Sequence, residues 1–179
     1  DVPGVLVGHQ TVIRDEPTVV RSGVTMIVPR GGEIWSNFAY AGVAVLNGNG
    51  EMTGMPWIEE SGMLGSPIGL TNTHQVGMVR DALVRYLTEH DLERSFFLPV
   101  AAETWDGDLS DADSFPLTEA DAFAALEAAA TGPVDEGNVG GGTGSICHEF
   151  KGGIGTSSRL VDVEGETYAV GALVQANYG

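Results

Sequence analysis

The sequence predicts an α+β protein, and three observations carry that prediction. Strand-like apolar runs and two stretches of helical periodicity are mixed, without the regular strand–helix–strand repeat of a doubly wound sheet. The chain holds 26 glycines in 179 residues, so turns are many and tight. Its hydrophobic fraction of 42% and charged fraction of 18% suit a soluble chain with a sizeable core. No internal repeat or boundary divides it, so residues 1–179 read as one domain.

Residues 5–7 (VLV) read as a short strand, and Val24 to Val28 as a buried strand ended by Pro29. Phe38 to Leu46, small and apolar, reads as a buried strand, followed by a turn at Asn47–Gly50. A short helix is expected from Pro56 to Met63 and a strand from Pro67 to Thr71. The clearest helix runs from Gln75 to His90. Val76, Val79, Leu83, Tyr86 and Leu87 recur at helical spacing, Arg80 and Arg85 face out, and Thr73 or Asn72 is the cap. Phe96 to Ala102 reads as a strand in which Pro99 argues for an edge or a bulge. A second helix is expected from Glu119 to Ala130, capped by Thr118, with Phe123, Leu126 and Ala130 as its apolar stripe. Residues 158–163 and 168–175 then read as a hairpin around Glu164-Gly165.

The net charge of −17 leaves few function classes open to polyanions. With seven arginines and the single lysine Lys151, the chain lacks the basic patch that nucleic acid or an anionic membrane needs. No apolar run approaches the roughly 20 residues of a membrane helix. One cysteine, Cys147, excludes an intrachain disulfide, so cytoplasmic and periplasmic locations both stay open. The chain begins with Asp1 rather than Met, so further polypeptide upstream is expected.

Nine of the 24 residues from Gly132 to Gly155 are glycine, interleaved with Val139, Ile146, Cys147, Phe150 and Ile154. Such anchors argue for an ordered loop that shapes a site, against a flexible linker. Thr143-Gly144 stands where a phosphate-binding P-loop requires Lys-Ser/Thr, and no dinucleotide fingerprint is present. The four histidines, His9, His74, His90 and His148, lack ligand spacing and read as surface or capping residues, so no metal and no cofactor is expected. The acidic run from Asp106 to Asp113 misses the glycine and glutamate of a calcium loop and reads as a solvated loop. No nucleophile elbow exists, and Cys147 reads as a small buried hydrophobe. The chain thus has site-like loops without a convincing nucleophile of its own.

Two sites remain. Glu103 and Trp105 follow a predicted strand, where a carboxylate and an indole suit a cation, although a packed tryptophan in a turn fits the local sequence equally well. Asn177 ends the last strand, where its amide suits an oxyanion, or an ordinary turn.

The segments DVPGVLVGH, GNGEMTGMPWIEESG, SPIGLTNTHQVG, AAETWDG, GPVDEGNVGGGTGSICHEFKGGIGTSSR and VGALVQANYG, in this order over nearly the whole chain, resemble peptidase family S58, the L-aminopeptidase/D-esterase and β-aminopeptidase group. That resemblance implies a four-layer αββα sandwich of N-terminal-nucleophile-hydrolase type, made as a precursor that cuts itself into α and β chains. The present chain corresponds to the α chain, ending short of the cleavage point. The nucleophilic serine is expected at the start of the separate β chain. Asn177 would supply the oxyanion donor, Glu103 would hold the substrate ammonium, and Trp105 would shape the pocket with Gly140, Gly141 and Gly142 of the glycine-rich loop. Tryptophan at position 105 leans toward the β-aminopeptidases. The expected substrate is a small peptide, amide or ester with a free amine, and the expected assembly is an oligomer of αβ units, a tetramer in the family. His148-Glu149 departs from the family pattern and has no assigned role. An amide-oligomer hydrolase or an acyltransferase of the ornithine acetyltransferase type is the alternative of related fold.

Overall fold

The computed structural model describes residues 2–31, 37–92 and 96–179, so Asp1 of the DVPGVLVGH segment lies outside the described residues. Strand β1 (Leu6–Arg14) and strand β2 (Val20–Val28) pair antiparallel along their full length. A short β3 (Ala39–Tyr40) follows, then helix α1 (Met55–Ser61) and β4 (Met63–Leu64), which pairs with β3. Strand β5 (Ile68–Asn72) leads through a 3-10 turn into α2 (Val76–Glu89), and β6 (Val100–Thr104) comes next. Helix α3 (Glu119–Glu127), the small pair β7 (Ile146–Cys147) and β8 (Phe150–Lys151), and the ribbon β9 (Gly153–Val163) with β10 (Glu166–Ala176) complete the chain.

The main sheet has the order β1-β2-β5-β6, with β2 antiparallel to β5 and β5 parallel to β6. Strand β2 is buried on both faces. Val24 and Met26 face α2 and α3, in a core with Val79, Leu83, Ala101, Ala122 and Leu126. Each of Val79 and Leu83, fully buried, stabilises the fold by about 1.5–3 kcal/mol. On the other face Thr25 meets the glycine-rich turn at Gly140–Gly142, and the base of the β9–β10 ribbon packs on that turn. The chain therefore layers helices, sheet and ribbon.

Both helices form where periodicity placed them. Asn72 caps the entry to α2 by accepting the Gln75 N–H at 2.9 Å. Thr118 and Asp121 form a capping box on α3, with the Thr118 N–H donating to Asp121 at 2.8 Å. Helix α3 stops at Glu127 instead of reaching Ala130, because Ala130 exchanges both backbone hydrogen bonds with Val7 of β1. The hairpin turn has positive φ at Glu164 and Gly165, the conformation that continues the twist of the paired strands, and its strands run longer than the apolar pattern suggested.

Two readings are corrected. Residues 38–46 do not form a buried strand: only Ala39–Tyr40 pairs, and Tyr40 and Leu46 are exposed. Among the described residues no neighbouring strand exists for the remainder to join. The strand expected from Phe96 starts at Val100, directly after Pro99, and sits at the sheet edge, where a residue without an N–H is tolerated.

Candidate active site

The parallel pairing of β5 and β6 sets Thr71 beside Glu103 and Asn72 beside Thr104. Beyond the ends of these strands, the terminal segment after β10 and the loop around Asn49 enclose a cavity of about 740 Å³. Its walls include Glu51, Thr73, Glu103, Trp105, Asn177 and Tyr178. The site thus gathers groups that lie up to 131 positions apart in sequence, between Gly48 and Gly179.

Glu103 is half-buried, and its carboxylate is fixed from two sides. One oxygen accepts the Glu51 backbone N–H at 2.8 Å, and the other accepts the Thr73 hydroxyl. A carboxylate offers about four acceptor positions, so capacity remains for a cation in the cavity. Asn177 is oriented equally firmly. Its side-chain oxygen accepts the Ile146 N–H at 2.8 Å, which leaves the amide NH₂ as its free donor. Tyr178 locks this segment to β7, donating to the Ile146 carbonyl at 3.0 Å and accepting the His148 N–H at 3.0 Å. Trp105 is 41% exposed on the cavity wall, and its indole meets the His74 ring edge-to-face at 5.3 Å. The cavity therefore offers an anion, an aromatic face and a neutral hydrogen-bond donor. Its hydroxyls on Thr73 and Thr104 are both engaged, by Glu103 and Gln175.

The sequence profile of peptidase family S58 matches residues 1–179. The chain belongs to peptidase family S58. It is 48% identical to the β-peptidyl aminopeptidases BapA of Sphingosinicella microcystinivorans and Sphingosinicella xenopeptidilytica, matching all of this chain and 46% of each relative. A β-aminopeptidase from a Burkholderia species superposes with a TM-score of 0.94 at 53% identity, covering 99% of this chain and 51% of that one. The L-aminopeptidase D-Ala-esterase/amidase of Ochrobactrum anthropi, described as a variant of the Ntn hydrolase fold, superposes at 0.92 with 47% identity, covering 99% and 52%. The fold is therefore that of these S58 enzymes, and the chain spans about half the length of the relatives it matches.

Within this S58 framework the glycine-rich turn occupies a different place from the expected one. Gly140, Gly141 and Gly142 are buried against the sheet and are not among the residues lining the cavity. The Gly140 N–H donates to Thr11 at 2.8 Å and the Gly141 N–H to Thr25 at 3.1 Å. A Cβ on Gly141 would sit 2.6 Å from the Leu70 carbonyl, and one on Gly142 would sit 2.7 Å from the Ile154 nitrogen. Glycine is needed here for close approach between sheet and ribbon.

The acidic run is also not a uniformly solvated loop. Asp106 is 2% exposed, with one carboxyl oxygen unpartnered and a hydrogen bond to Ser22. Burial pushes its pKa up, against the smaller opposing effects of Ser22, of its own backbone and of the His74 charge. Ser22 in turn accepts from Asn72 at 3.0 Å, so this polar group ties β2, β5 and the exit of β6 together. His9 is half-buried, contacts the Thr25 hydroxyl at 2.9 Å, and has its pKa lowered by burial. His90 closes the end of α2 on the Tyr86 carbonyl, as a capping residue does, and His148 stacks edge-on against Tyr178. Cys147 is a free, partly buried thiol in β7. Among the described residues no cluster of three or more His, Cys, Asp or Glu side chains forms a metal site. Nor is any helix long and apolar enough to cross a membrane. Sequence reasoning gave Thr73, His74 and Gln175 no part in the site; their one signal was position, at the ends of β5 and β10.

Proposed function

We propose that this chain is the α part of a serine aminopeptidase that removes N-terminal residues, including β-amino acids, from peptides, amides or esters. The observation that carries the reading is the convergence of the Glu103 carboxylate, the Trp105 face and the free Asn177 amide donor on one cavity. Glu103 holds the substrate's ammonium, a charge-assisted contact that neutral or N-acylated substrates lack. Asn177 donates to the carbonyl oxygen as it becomes an oxyanion, and its amide is already oriented, so no reorganisation accompanies the reaction. The attacking hydroxyl comes from a serine at the amino terminus of a separate β chain of the same precursor. Its oxygen adds to the scissile carbonyl while its proton passes to a base on that chain. Collapse expels the leaving amine with a proton, and water then releases the acyl group.

Support for a companion also comes from the ribbon. Val161, Val163, Val170 and Val174, which the register places on one face of the β9–β10 ribbon, are exposed, and the S58 relatives are about twice as long as this chain. We assign the cover of this apolar surface to the β chain, and the whole to an oligomer of αβ units. Gly140–Gly142 support the cavity from between the sheet and the ribbon. The leaning toward β-amino acids rests on Trp105 and on the names borne by the relatives.

The test is expression of the full-length gene followed by intact-mass analysis and assay. Two polypeptides, the second beginning with serine, and release of an N-terminal residue only from free-amine substrates are expected. A single uncut chain that hydrolyses N-acetylated and free-amine amides equally would overturn the reading.

A further inference from the structure

Trp105 does not stand on the cavity wall by itself. Its indole folds back over Gly107, so closely that a Cβ there would overlap the ring. From another side the His74 ring meets it edge-to-face at 5.3 Å, with planes 67° apart. His74 is held in turn by Phe115, stacked at 6.1 Å and 28°, and by Asp113, whose carboxylate lies 3.4 Å from Nδ1. Phe115 reaches this position from a left-handed backbone conformation, φ 48°, at the end of the short turn Ala112–Ser114. His74 and Phe115 are not among the residues lining the cavity, whereas Trp105 is.

We propose that His74, backed by Phe115 and Asp113, is a specificity-positioning residue that presses Trp105 onto Gly107 and so sets the width of the cavity beside Glu103. The inference rests on the reading of Glu103 as the ammonium anchor. Glu103 is the last residue but one of β6, Trp105 follows directly after the strand, and both line this cavity. A substrate whose ammonium sits on Glu103 therefore lays the side chain of that same residue along the indole. With the indole clamped, the cavity fits small, unbranched N-terminal residues. With it released, the wall retreats and bulky residues gain.

An aromatic pair of this kind contributes about 2- to 10-fold in an equilibrium, which sets the expected size of the effect. The experiment uses the full-length, processed enzyme with β-alanyl and β-homophenylalanyl p-nitroanilides. His74→Ala is expected to lower kcat/KM for the small substrate by about 2- to 10-fold, through KM, while the bulky substrate is unchanged or improved. His74→Phe restores the edge contact and the wild-type ratio. Acrylamide access to Trp105, read as the difference between each protein and its Trp105→Phe counterpart, rises in His74→Ala and not in His74→Phe. Gly107→Ala, which displaces the indole from beneath with a single methyl, shifts the ratio the same way and serves if His74→Ala does not fold. Unchanged selectivity and unchanged acrylamide access in both His74→Ala and Gly107→Ala would overturn the clamp. A wild-type enzyme inactive on every free-amine substrate would instead overturn the function it rests on.

Discussion

Replacing Glu103 by glutamine removes one charge and little else. The remaining side-chain oxygen still accepts the Glu51 N–H, now 2.8 Å from Oε1, and the new NH₂ group can donate to the Thr73 oxygen. Fold stability should therefore stay within about 1 kcal/mol of wild type. The substrate ammonium, by contrast, loses a charge-assisted partner, which is worth about 1.5–3 kcal/mol, or roughly 10- to 150-fold in kcat/KM. Glu103 is only half-buried, and water screens the open side of the cavity, so the lower half of that range is expected. The assay compares kcat/KM for one acyl residue with its amine free and with its amine replaced by hydrogen, in wild-type and Glu103→Gln full-length enzyme. The variant should lose rate on the free-amine substrate alone. An equal loss on both substrates would mean that Glu103 shapes the cavity without holding the amine, and no loss on either would refute the anchor altogether.

Asn177→Ala should lower kcat by about 100- to 1,000-fold with little change in KM, and Asn177→Asp should do the same, because it keeps the acceptor for Ile146 but loses the donor; steady-state kinetics decide. Asp106 has a raised folded-state pKa, so the folded state holds its proton more tightly than the unfolded chain. Its stabilising contribution is complete below the ordinary aspartate value of 3.8 and is lost as pH rises through the folded value, and Asp106→Asn should flatten this fall in denaturant titrations across that window. His9 has the opposite linkage: its lowered pKa gives stability that is complete above 6.5 and is lost as pH falls through the folded value, a slope His9→Gln should abolish. Leu83→Ala, in the fully buried face of α2, should cost about 2–5 kcal/mol by urea unfolding.

Much of this architecture is legible in local pattern because each element satisfies its own physics. The periodicity of α2, the Thr118 cap and the turn at Glu164-Gly165 are decided within a few residues, and all three appear in the structure. Residues 38–46 failed for the complementary reason: apolar composition suits a buried strand, but burial depends on a neighbour, and only Met63–Leu64 pairs there. Glu103 and Asn177, singled out by strand-end position and by the family resemblance, line one cavity in the structure. Asp106 was not, because a run of aspartates looks solvated until tertiary packing buries one member against Ser22. His74 was equally silent, since its partners Trp105, Phe115 and Asp113 come from a distant loop.

The glycine-rich segment shows how a motif can act at a site without lining it. Glu103 belongs to the main sheet and Asn177 to the end of the ribbon, so their separation depends on how closely those two layers approach. Gly140–Gly142 fill that interval with backbone alone, because every added Cβ would strike Thr25, Leu70 or Ile154. The layers then come close enough for Gln175 to donate to Thr104 at 2.8 Å. Gln175 stands two residues before Asn177, and Thr104 stands next to Glu103. That one hydrogen bond therefore couples the segment of Asn177, the proposed oxyanion donor, to that of Glu103, the proposed ammonium anchor, across the layer boundary. A side chain at Gly141 would widen the interval, break this bond and move Asn177 relative to Glu103 while leaving both residues chemically intact. The density of glycine is thus explained by the spacing of the site's two halves, and misplacement by about 1 Å is enough to cost about 100-fold in rate.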